Sequence, residues 1–160
     1  MTAKESVWNY AVIRFLPYPE REEFVNLGVV VACPETGEFD FRMETERDSR
    51  VLHFFPALSP NLLSTAREMF LRELERVREC VSRKSGPASP SAPTRGEFDR
   101  IFNELVRPRE SVLRFSGIGT LLARNSKDAM DALFESHVRQ ETEYRPAPPR
   151  QLAIAESRDG

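Results

Sequence analysis

The chain has 160 residues, enough for one domain, and its 40% hydrophobic and 30% charged residues are typical of a soluble globular protein. The net charge of −2 supplies no broad positive field, which argues against nucleic acid and anionic membranes as partners. No apolar run reaches the length of a membrane span, the N-terminal residues lack a signal-peptide core, and Cys33 and Cys80 fit neither a disulfide framework nor a zinc site. We therefore expect a cytoplasmic protein with free thiols and no cofactor.

Three β-strands are predicted in the first part of the chain, where β-branched and aromatic residues are frequent. They cover residues 7–15, 24–33 and 39–43, and the sequence PETG forms a turn between the second and the third. These strands are expected to pair as an antiparallel meander. A strand, a turn and a second extended piece follow much later, within SVLRFSGIGTLLA at residues 111–123.

Helices are predicted between and after these strands. A short helical turn precedes Pro56, and a long helix begins at Pro60 and keeps an apolar stripe through about residue 82. Two further helices cover residues 97–106, before Pro108, and residues 126–139. The predicted fold class is α+β, a two-layer sandwich with the helices packed on one face of the antiparallel sheet.

The predicted domain organisation is a single domain over residues 1–144. Residues 82–96 are rich in Pro, Ser and Gly and lack apolar periodicity, so we predict a disordered insertion there. Residues 145–160 form a Pro-rich tail that is also predicted to be disordered.

The strand register can be proposed from the apolar pattern, because one register makes every cross-strand pair of one sheet face apolar. Its pairs are Ile13–Leu27, Phe15–Val25 and Ala11–Val29 between the first two strands, and Val31–Phe41, Val29–Met43 and Cys33–Phe39 between the second and third. This face is expected to form the core, with the long helix packed on it.

The opposite face then carries the candidate binding residues. The register places Arg14 opposite Asn26, with Gly28 leaving a gap in the middle strand and Arg42 beside it. Three interpretations stay open: a polar network that ties the sheet together, a face covered by the last helix, or a groove whose guanidinium groups bind a carboxylate, a phosphate or an acidic side chain. The apolar part of the face also fits a protein–protein patch. The candidate binding residues are Tyr10, Arg14, Arg21, Asn26, Gly28 and Arg42.

Other motifs point away from catalysis. The acidic run Glu20, Glu22 and Glu23 lies in a predicted loop, where exposed carboxylates are ordinary, and GIGT lacks the length and the lysine of a phosphate loop. His137, on the apolar side of the last helix, is interpreted as structural, whereas the pattern around His53 fits a structural or a catalytic role. No serine or cysteine has an identifiable base partner. The remaining arginines, among them Arg47, Arg50 and Arg114, are too scattered for a nucleic-acid stripe. We predict no catalytic residues and no metal site.

Two stretches carry a resemblance to a known family. YAVIRFLPYPEREEFVNLGVVV at residues 10–31 and SVLRFSGIGTLL at residues 111–122 resemble the bacterial domain of unknown function 3037. The resemblance covers most of residues 7–138 and singles out Arg14, Arg21, Asn26 and Gly28. It implies a small cytoplasmic bacterial protein, some of whose relatives are encoded beside a kinase-like protein similar to the toxin of a persistence toxin–antitoxin pair.

Two functions follow as competing hypotheses. The first is a non-enzymatic accessory or regulatory protein that binds a partner protein, with the kinase-like protein as the partner that the resemblance implies. The alternative is an enzyme that acts on a phosphorylated or nucleotide substrate through an arginine-lined groove. The sequence favours the first because it lacks a recognisable nucleophile, base or metal set, and it leaves a homodimer open. Nucleic-acid binding is disfavoured at a net charge of −2.

Overall fold

A computed structural model describes residues 4–45, 48–84, 94–107, 109 and 111–139. These residues form an α+β fold, as predicted, with five strands, four α-helices, one 3-10 turn and one π-helical turn. In chain order the elements are β1 (Ser6–Phe15), the 3-10 turn (Pro19–Arg21), β2 (Val25–Cys33), β3 (Glu38–Met43), α1 (Asp48–Phe54), α2 (Pro60–Lys84), α3 (Arg95–Leu105), β4 (Leu113–Phe115), β5 (Gly119–Ala123), α4 (Ser126–Phe134) and the π-helical turn (Glu135–Arg139).

The strands form one antiparallel sheet in the order β3-β2-β1-β4, and β5 also pairs with β1. The predicted meander of the first three strands is therefore confirmed. Strand β1 is long enough to pair with β5 along its first half and with β4 along its last residues, on the same edge. This arrangement places the late strands β4 and β5 beside the first strand of the chain.

The register of β1 with β2 agrees with the prediction at one end and is wrong at the other. Phe15 pairs with Val25 and Arg14 with Asn26, as predicted, but the register shifts between Ile13 and Arg14. Ile13 pairs with Gly28, so Leu27 is an extra residue in β2. A shift by one residue reverses the faces of all that follows, because side chains alternate along a strand.

The consequence for the remaining pairs is that each predicted partner is off by one residue. Ala11 pairs with Val30 rather than Val29, and Phe41 likewise pairs with Val30 rather than Val31. Val30 and Ala32 therefore belong to the core that packs against α2, together with Ile13 and Leu27.

Both faces of the sheet are covered by helices. One core, the first core, lies between the sheet and α1, α2 and α3, and its fully buried members include Ile13, Leu27 and Leu63. A second core lies on the other face, where α4 packs on β2, β3 and β5. The members of the second core are Trp8, Val29, Val31, Cys33, Ala123, Ala129, Met130, Leu133, Phe134 and Val138.

The prediction that helices pack on one face only, in two layers, is therefore wrong, and the described residues form three layers. The physical reason lies in β2, where Val29 to Cys33 are all buried, so that neither face can be left in water. The α+β class itself is unaffected, because the sheet is antiparallel.

The helix ends follow local side-chain chemistry. Thr94 and Glu97 form a capping box at the start of α3, and the Asn125 side chain accepts a hydrogen bond from the Asp128 N–H at the start of α4. Since α2 reaches Lys84 and α3 begins at Arg95, only residues 85–93 of the predicted insertion lie outside the described residues, and the predicted tail lies outside them entirely. None of the described helices is long and apolar enough to cross a lipid bilayer.

Candidate binding surface on the second sheet face

The second face is the side of the sheet that packs against α4, and it divides into a covered part and an open part. The covered part surrounds Trp8 and Val29, which are buried against α4 in the second core. The open part lies around Arg14, six residues further along β1 than Trp8 and therefore about 20 Å away. Of the six candidate binding residues, the structure places Tyr10 and Arg42 in the covered part, Arg14 in the open part and Asn26 at the boundary.

Arg42 is held by α4. Its guanidinium Nη1 lies 3.1 Å from Oδ1 of Asp131, and its Cζ lies 5.4 Å from the centre of the Phe134 ring. Asp131 also accepts a hydrogen bond of 2.7 Å from the Lys127 ammonium group. Lys127 first, and Arg42 second, hold the pKa of the Asp131 carboxyl below its usual range, because both stabilise the charged form. Arg42 therefore already has an acidic partner within its own chain.

Tyr10 is held by the π-helical turn. Its ring centre lies 5.7 Å from that of His137 at an interplanar angle of 39°. Gly119, which pairs with Tyr10 across β1 and β5, is required there because an added Cβ would overlap the Tyr10 ring. Tyr10 is thus a packing residue for the last turn of the chain's described part.

Asn26 fastens the same π-helical turn to β2. Its Nδ2 donates a hydrogen bond of 3.0 Å to the His137 carbonyl oxygen. Arg50 in α1 completes the connection by donating to the Val138 carbonyl at 2.6 Å and to the Asn26 carbonyl at 3.0 Å. The polar residue that the strand pattern leaves at position 26 is therefore explained in part by structure, because an amide can satisfy a carbonyl that valine would leave unpaired.

The open part contains a row of three polar residues on adjacent strands, which we call the arginine row: Asn26 on β2, Arg14 on β1 and Arg114 on β4. Arg14 is directly opposite Asn26 on one side and Arg114 on the other, so the three side chains project from the same face. Arg14 is half-buried, and its Cζ lies 4.3 Å from the centre of the Phe24 ring. Arg114 uses its Nε to donate to the Ser111 carbonyl at 2.9 Å.

The arginine row is incompletely satisfied. Nε of Arg14 and Oδ1 of Asn26 are buried and have no hydrogen-bond partner among the described residues. Arg14 and Arg114 are also paired in the strand register, which places two positively charged residues on neighbouring strands at this end of the sheet. The row can therefore bind a carboxylate or phosphate group through Arg14 and Arg114, the strong hydrogen-bond donors of this surface.

Two of the candidate residues lie apart from the row. Arg21 is exposed on the 3-10 turn, with its Cζ 5.0 Å from the centre of the Tyr18 ring. Gly28 was predicted to be the floor of the groove on the second face, and this is wrong. An added Cβ at Gly28 would overlap the Arg42 carbonyl oxygen and lie 2.9 Å from Cγ of Met43, a member of the first core. The glycine allows β3 to approach the bulge closely.

A further charged group lies at the junction of α1 and α2. Arg67 is buried and donates two hydrogen bonds to the Asp48 carboxylate, at 2.5 and 2.9 Å. The hydrogen bond from Arg67 holds the pKa of Asp48 below its usual range, against the opposite effect of burial. Arg67 also donates to the Glu44 carbonyl at 3.4 Å, and the Glu44 carboxylate lies 3.8 Å from Nε of Arg139. This group stabilises the fold, and all of its members have partners.

The described ranges contain no group of three or more His, Cys, Asp or Glu side chains that could hold a metal ion. The free thiols of Cys33 and Cys80 are buried and exposed, respectively. His137 is partly buried beside Tyr10, as the structural interpretation of this residue expects, whereas His53 is exposed on α1.

The sequence did not reveal three contributors to this surface. The pattern places Phe24 in the second strand without indicating a role in the site, and Arg114 stands apart from the other arginines in the sequence. A backbone carbonyl such as that of His137 leaves no signal in a residue pattern. The alternation Leu113-Arg114-Phe115 does place the arginine opposite two apolar neighbours, which is a usable signal. Its pairing with Arg14 is a long-range contact that local pattern does not determine.

The chain is similar to a known protein family. A family model described as "Protein of unknown function (DUF3037)" matches residues 10–138 of the 160-residue chain. No curated protein and no solved structure matches the chain. The matched range contains the arginine row, the first core and every member of the second core except Trp8. Because the match extends over most of the chain, and as the N-terminal motif predicted, this protein belongs to the DUF3037 family of proteins of unknown function.

Proposed function

We propose that the protein is a non-enzymatic accessory or regulatory protein of the bacterial cytoplasm, and that it binds a partner protein through the arginine row. The observation that carries the proposal is the state of Arg14. Its Nε is buried without an acceptor among the described residues, and it stands directly opposite a second arginine. The unpaired Nε costs free energy in the isolated chain, and an acidic side chain that meets the Arg14 guanidinium group would supply charge-assisted hydrogen bonds that the described residues do not.

The surroundings of Arg14 favour a protein as the source of that acidic group. Phe24, stacked on Arg14, is 40% exposed and supplies an apolar contact beside the charged one. Aromatic and arginine side chains together are the residues that most often carry binding energy at protein interfaces. The family resemblance supplies the partner to test first, the kinase-like protein encoded near some relatives.

The enzyme alternative is less well supported by the geometry. It needs Arg14 and Arg42 to act together on a phosphorylated or nucleotide substrate. The two residues lie two strands and about three residues apart, roughly 14 Å between their Cα atoms. Arg42 is turned to Asp131 in α4, so the two guanidinium groups serve different regions. Arg21 is further separated, on the 3-10 turn.

The test compares two arginines of the same face. Purified wild-type protein, Arg14→Gln and Arg42→Gln are titrated with the purified kinase-like protein by calorimetry. We expect Arg14→Gln to lower the affinity by about fivefold or more, since a guanidinium that meets a desolvated carboxylate contributes about 1 kcal/mol or more. Arg42→Gln should stay within about twofold, because Arg42 is already paired within the chain. Thermal unfolding of each variant confirms that the fold is retained.

Three results would count against the proposal. Equal affinity of Arg14→Gln and the wild type would exclude the arginine row as the binding surface. Absence of binding to the kinase-like protein would exclude that partner, and co-purification from the native host followed by the same titration would then test the row against whichever protein is recovered. Loss of a wild-type homodimer in Arg14→Gln, measured by sedimentation, would assign the row to self-association.

A further inference from the structure

A groove separate from the second face lies between α2, α3 and β4. Its volume is about 570 Å³, which falls in the usual range of sites for small organic ligands, about 300–1,000 Å³. Its floor is apolar and is formed by Phe70, Leu74, Val77, Ile101, Leu105 and Phe115. Five of these six side chains are only partly buried, so they present apolar surface to the groove. Leu74 alone is fully buried beneath them.

The rim of the groove is cationic, although the chain as a whole carries a net charge of −2. The charged residues that line it, among those the structure describes, are Arg100, Arg107, Arg109 and Arg114 against Glu73 and Glu104. Within this described set, four arginines stand against two glutamates, a surplus of two positive charges.

The acidic residues of the rim do not neutralise it. Arg107 and Arg109 approach the same oxygen of Glu104, at 3.7 and 3.9 Å, so one carboxylate serves two guanidinium groups at long range. Glu73 lies 3.5 Å from Arg76, one turn further along α2. Arg100 has no ion-pair partner among the described residues, and its guanidinium is exposed. Arginine donors therefore remain available at the mouth of an apolar groove.

From this combination we infer that the groove binds a small amphiphilic anion, an apolar chain or ring that carries one carboxylate or phosphate group. The apolar body would lie on the floor and the anionic group would meet Arg100 and Arg109 at the rim. The volume of about 570 Å³ supports a small molecule as the occupant, because it lies within the range of sites that enclose small organic ligands.

The groove shares only Arg114 with the arginine row. Its apolar floor and its other three described arginines belong to the groove alone. Arg114 borders both, so it is left unchanged in the test. The groove lies on the side of the first core, and the row lies on the second face. Failure of one proposal therefore leaves the other standing.

The experiment uses three ligands that differ only in their head group: decanoate, decanol and decylammonium, each below the concentration at which it forms micelles. Binding to the full chain is followed by NMR of the methyl groups of Val77, Ile101 and Leu105, with Val29 and Leu133 of the second core as internal controls. We expect decanoate to shift the groove methyls and to bind at least about threefold more tightly than decanol, with decylammonium weakest.

The matched variants carry the same change in net charge at two places. Arg100→Gln combined with Arg109→Gln should weaken decanoate by about three- to tenfold and leave decanol within twofold. Arg72→Gln combined with Arg124→Gln removes two exposed arginines outside the groove lining and should leave both ligands unchanged.

The outcomes decide the inference in either direction. Equal affinities for decanoate and decanol, or equal effects of the two double variants, would show that the rim does not select an anion and would overturn the proposal. Shifts that appear only in the second-core methyls would place binding elsewhere. Absence of decanoate binding together with binding of an acidic amphipathic peptide would replace the small molecule by a protein partner, which also overturns the proposed ligand class.

Discussion

Arg42 and Arg14 lie on the same face of one sheet, two strands apart, and the protein surrounds them differently. Arg42 meets Asp131 and Phe134, both supplied by α4, whereas Arg14 meets only Phe24 and leaves a buried Nε without an acceptor among the described residues. The difference follows from the packing of α4 on β2, β3 and β5, which brings Asp131 and Phe134 to Arg42. An arginine whose acceptor comes from the same chain contributes to the fold, and one whose acceptor is missing is available to another molecule.

The largest loss of folding stability is expected when a side chain of the covered part is truncated. Trp8 is 1% exposed, and its indole N–H donates to the Ala123 carbonyl at 3.2 Å, so Trp8→Ala should destabilise the protein by about 3–5 kcal/mol. Phe24→Ala in the open part should cost less than about 1 kcal/mol, since Phe24 is 40% exposed and loses mainly its contact with Arg14. Urea denaturation at neutral pH measures both. Similar costs for the two variants would show that the open part is also structural.

A smaller loss of folding stability is expected when the glycine at the bulge is replaced. Gly28→Ala places a Cβ against the Arg42 carbonyl oxygen, a backbone atom that cannot rotate away, and we expect a loss of about 1–3 kcal/mol. Gly96 in α3 is the matched control, because an added Cβ there has no atom within 4 Å. Gly96→Ala should stabilise the protein by up to about 1 kcal/mol through the higher helix propensity of alanine. A neutral Gly28→Ala would mean that β3 lies further from β2 than the structure has it.

The same bulge shows where sequence reasoning succeeded and where it could not. The pairs Phe15–Val25 and Arg14–Asn26 were predicted correctly because they lie next to the connecting loop, before the bulge. Beyond it, the run from Val29 to Cys33 is apolar at every position, so two registers one residue apart both give apolar pairs. The burial of both faces becomes evident only from the second core. That core depends on α4, which lies more than 90 residues after β2 in the sequence.

The arginine row and the groove also differ in how far the sequence predicts them. Arg14 could be identified because its neighbour Asn26 is close in sequence and the strand period fixes their face. The groove between α2, α3 and β4 could not, since its walls are separated by segments of the chain whose packing no local pattern determines. Arg100 and Arg109 have no feature in the sequence that distinguishes them from the other exposed arginines.

The smallest changes in folding stability are expected for two arginine–aspartate pairs on opposite sides of the sheet. Asp48 accepts two hydrogen bonds from the buried Arg67, and that interaction holds the Asp48 pKa below its usual range. Since the folded protein then binds this proton more weakly than the unfolded chain, the pair stabilises the fold above about pH 4, and its contribution is lost as the pH falls through the lowered pKa. Asp48 is 38% exposed, so we expect Asp48→Asn to cost only about 1–2 kcal/mol at pH 7, with the difference from the wild type shrinking below about pH 4.

Asp131 should respond in the same direction but less, and with a different dependence on salt. Its pKa is also lowered, by Lys127 and then by Arg42, but the pairs are on the surface, where dissolved ions screen them. We expect Asp131→Asn to be less costly than Asp48→Asn at pH 7, and the cost to fall further in about 1 M salt, whereas the cost of Asp48→Asn should change little because Arg67 is buried. Urea denaturation at two pH values and two salt concentrations, together with carbon NMR titration of both carboxyl groups, provides the measurement. An Asp48 carboxyl that titrates at or above its ordinary pKa would contradict the buried pair, and an Asp131→Asn cost that does not change with salt would mean that α4 holds Arg42 in a less accessible site than the structure has it.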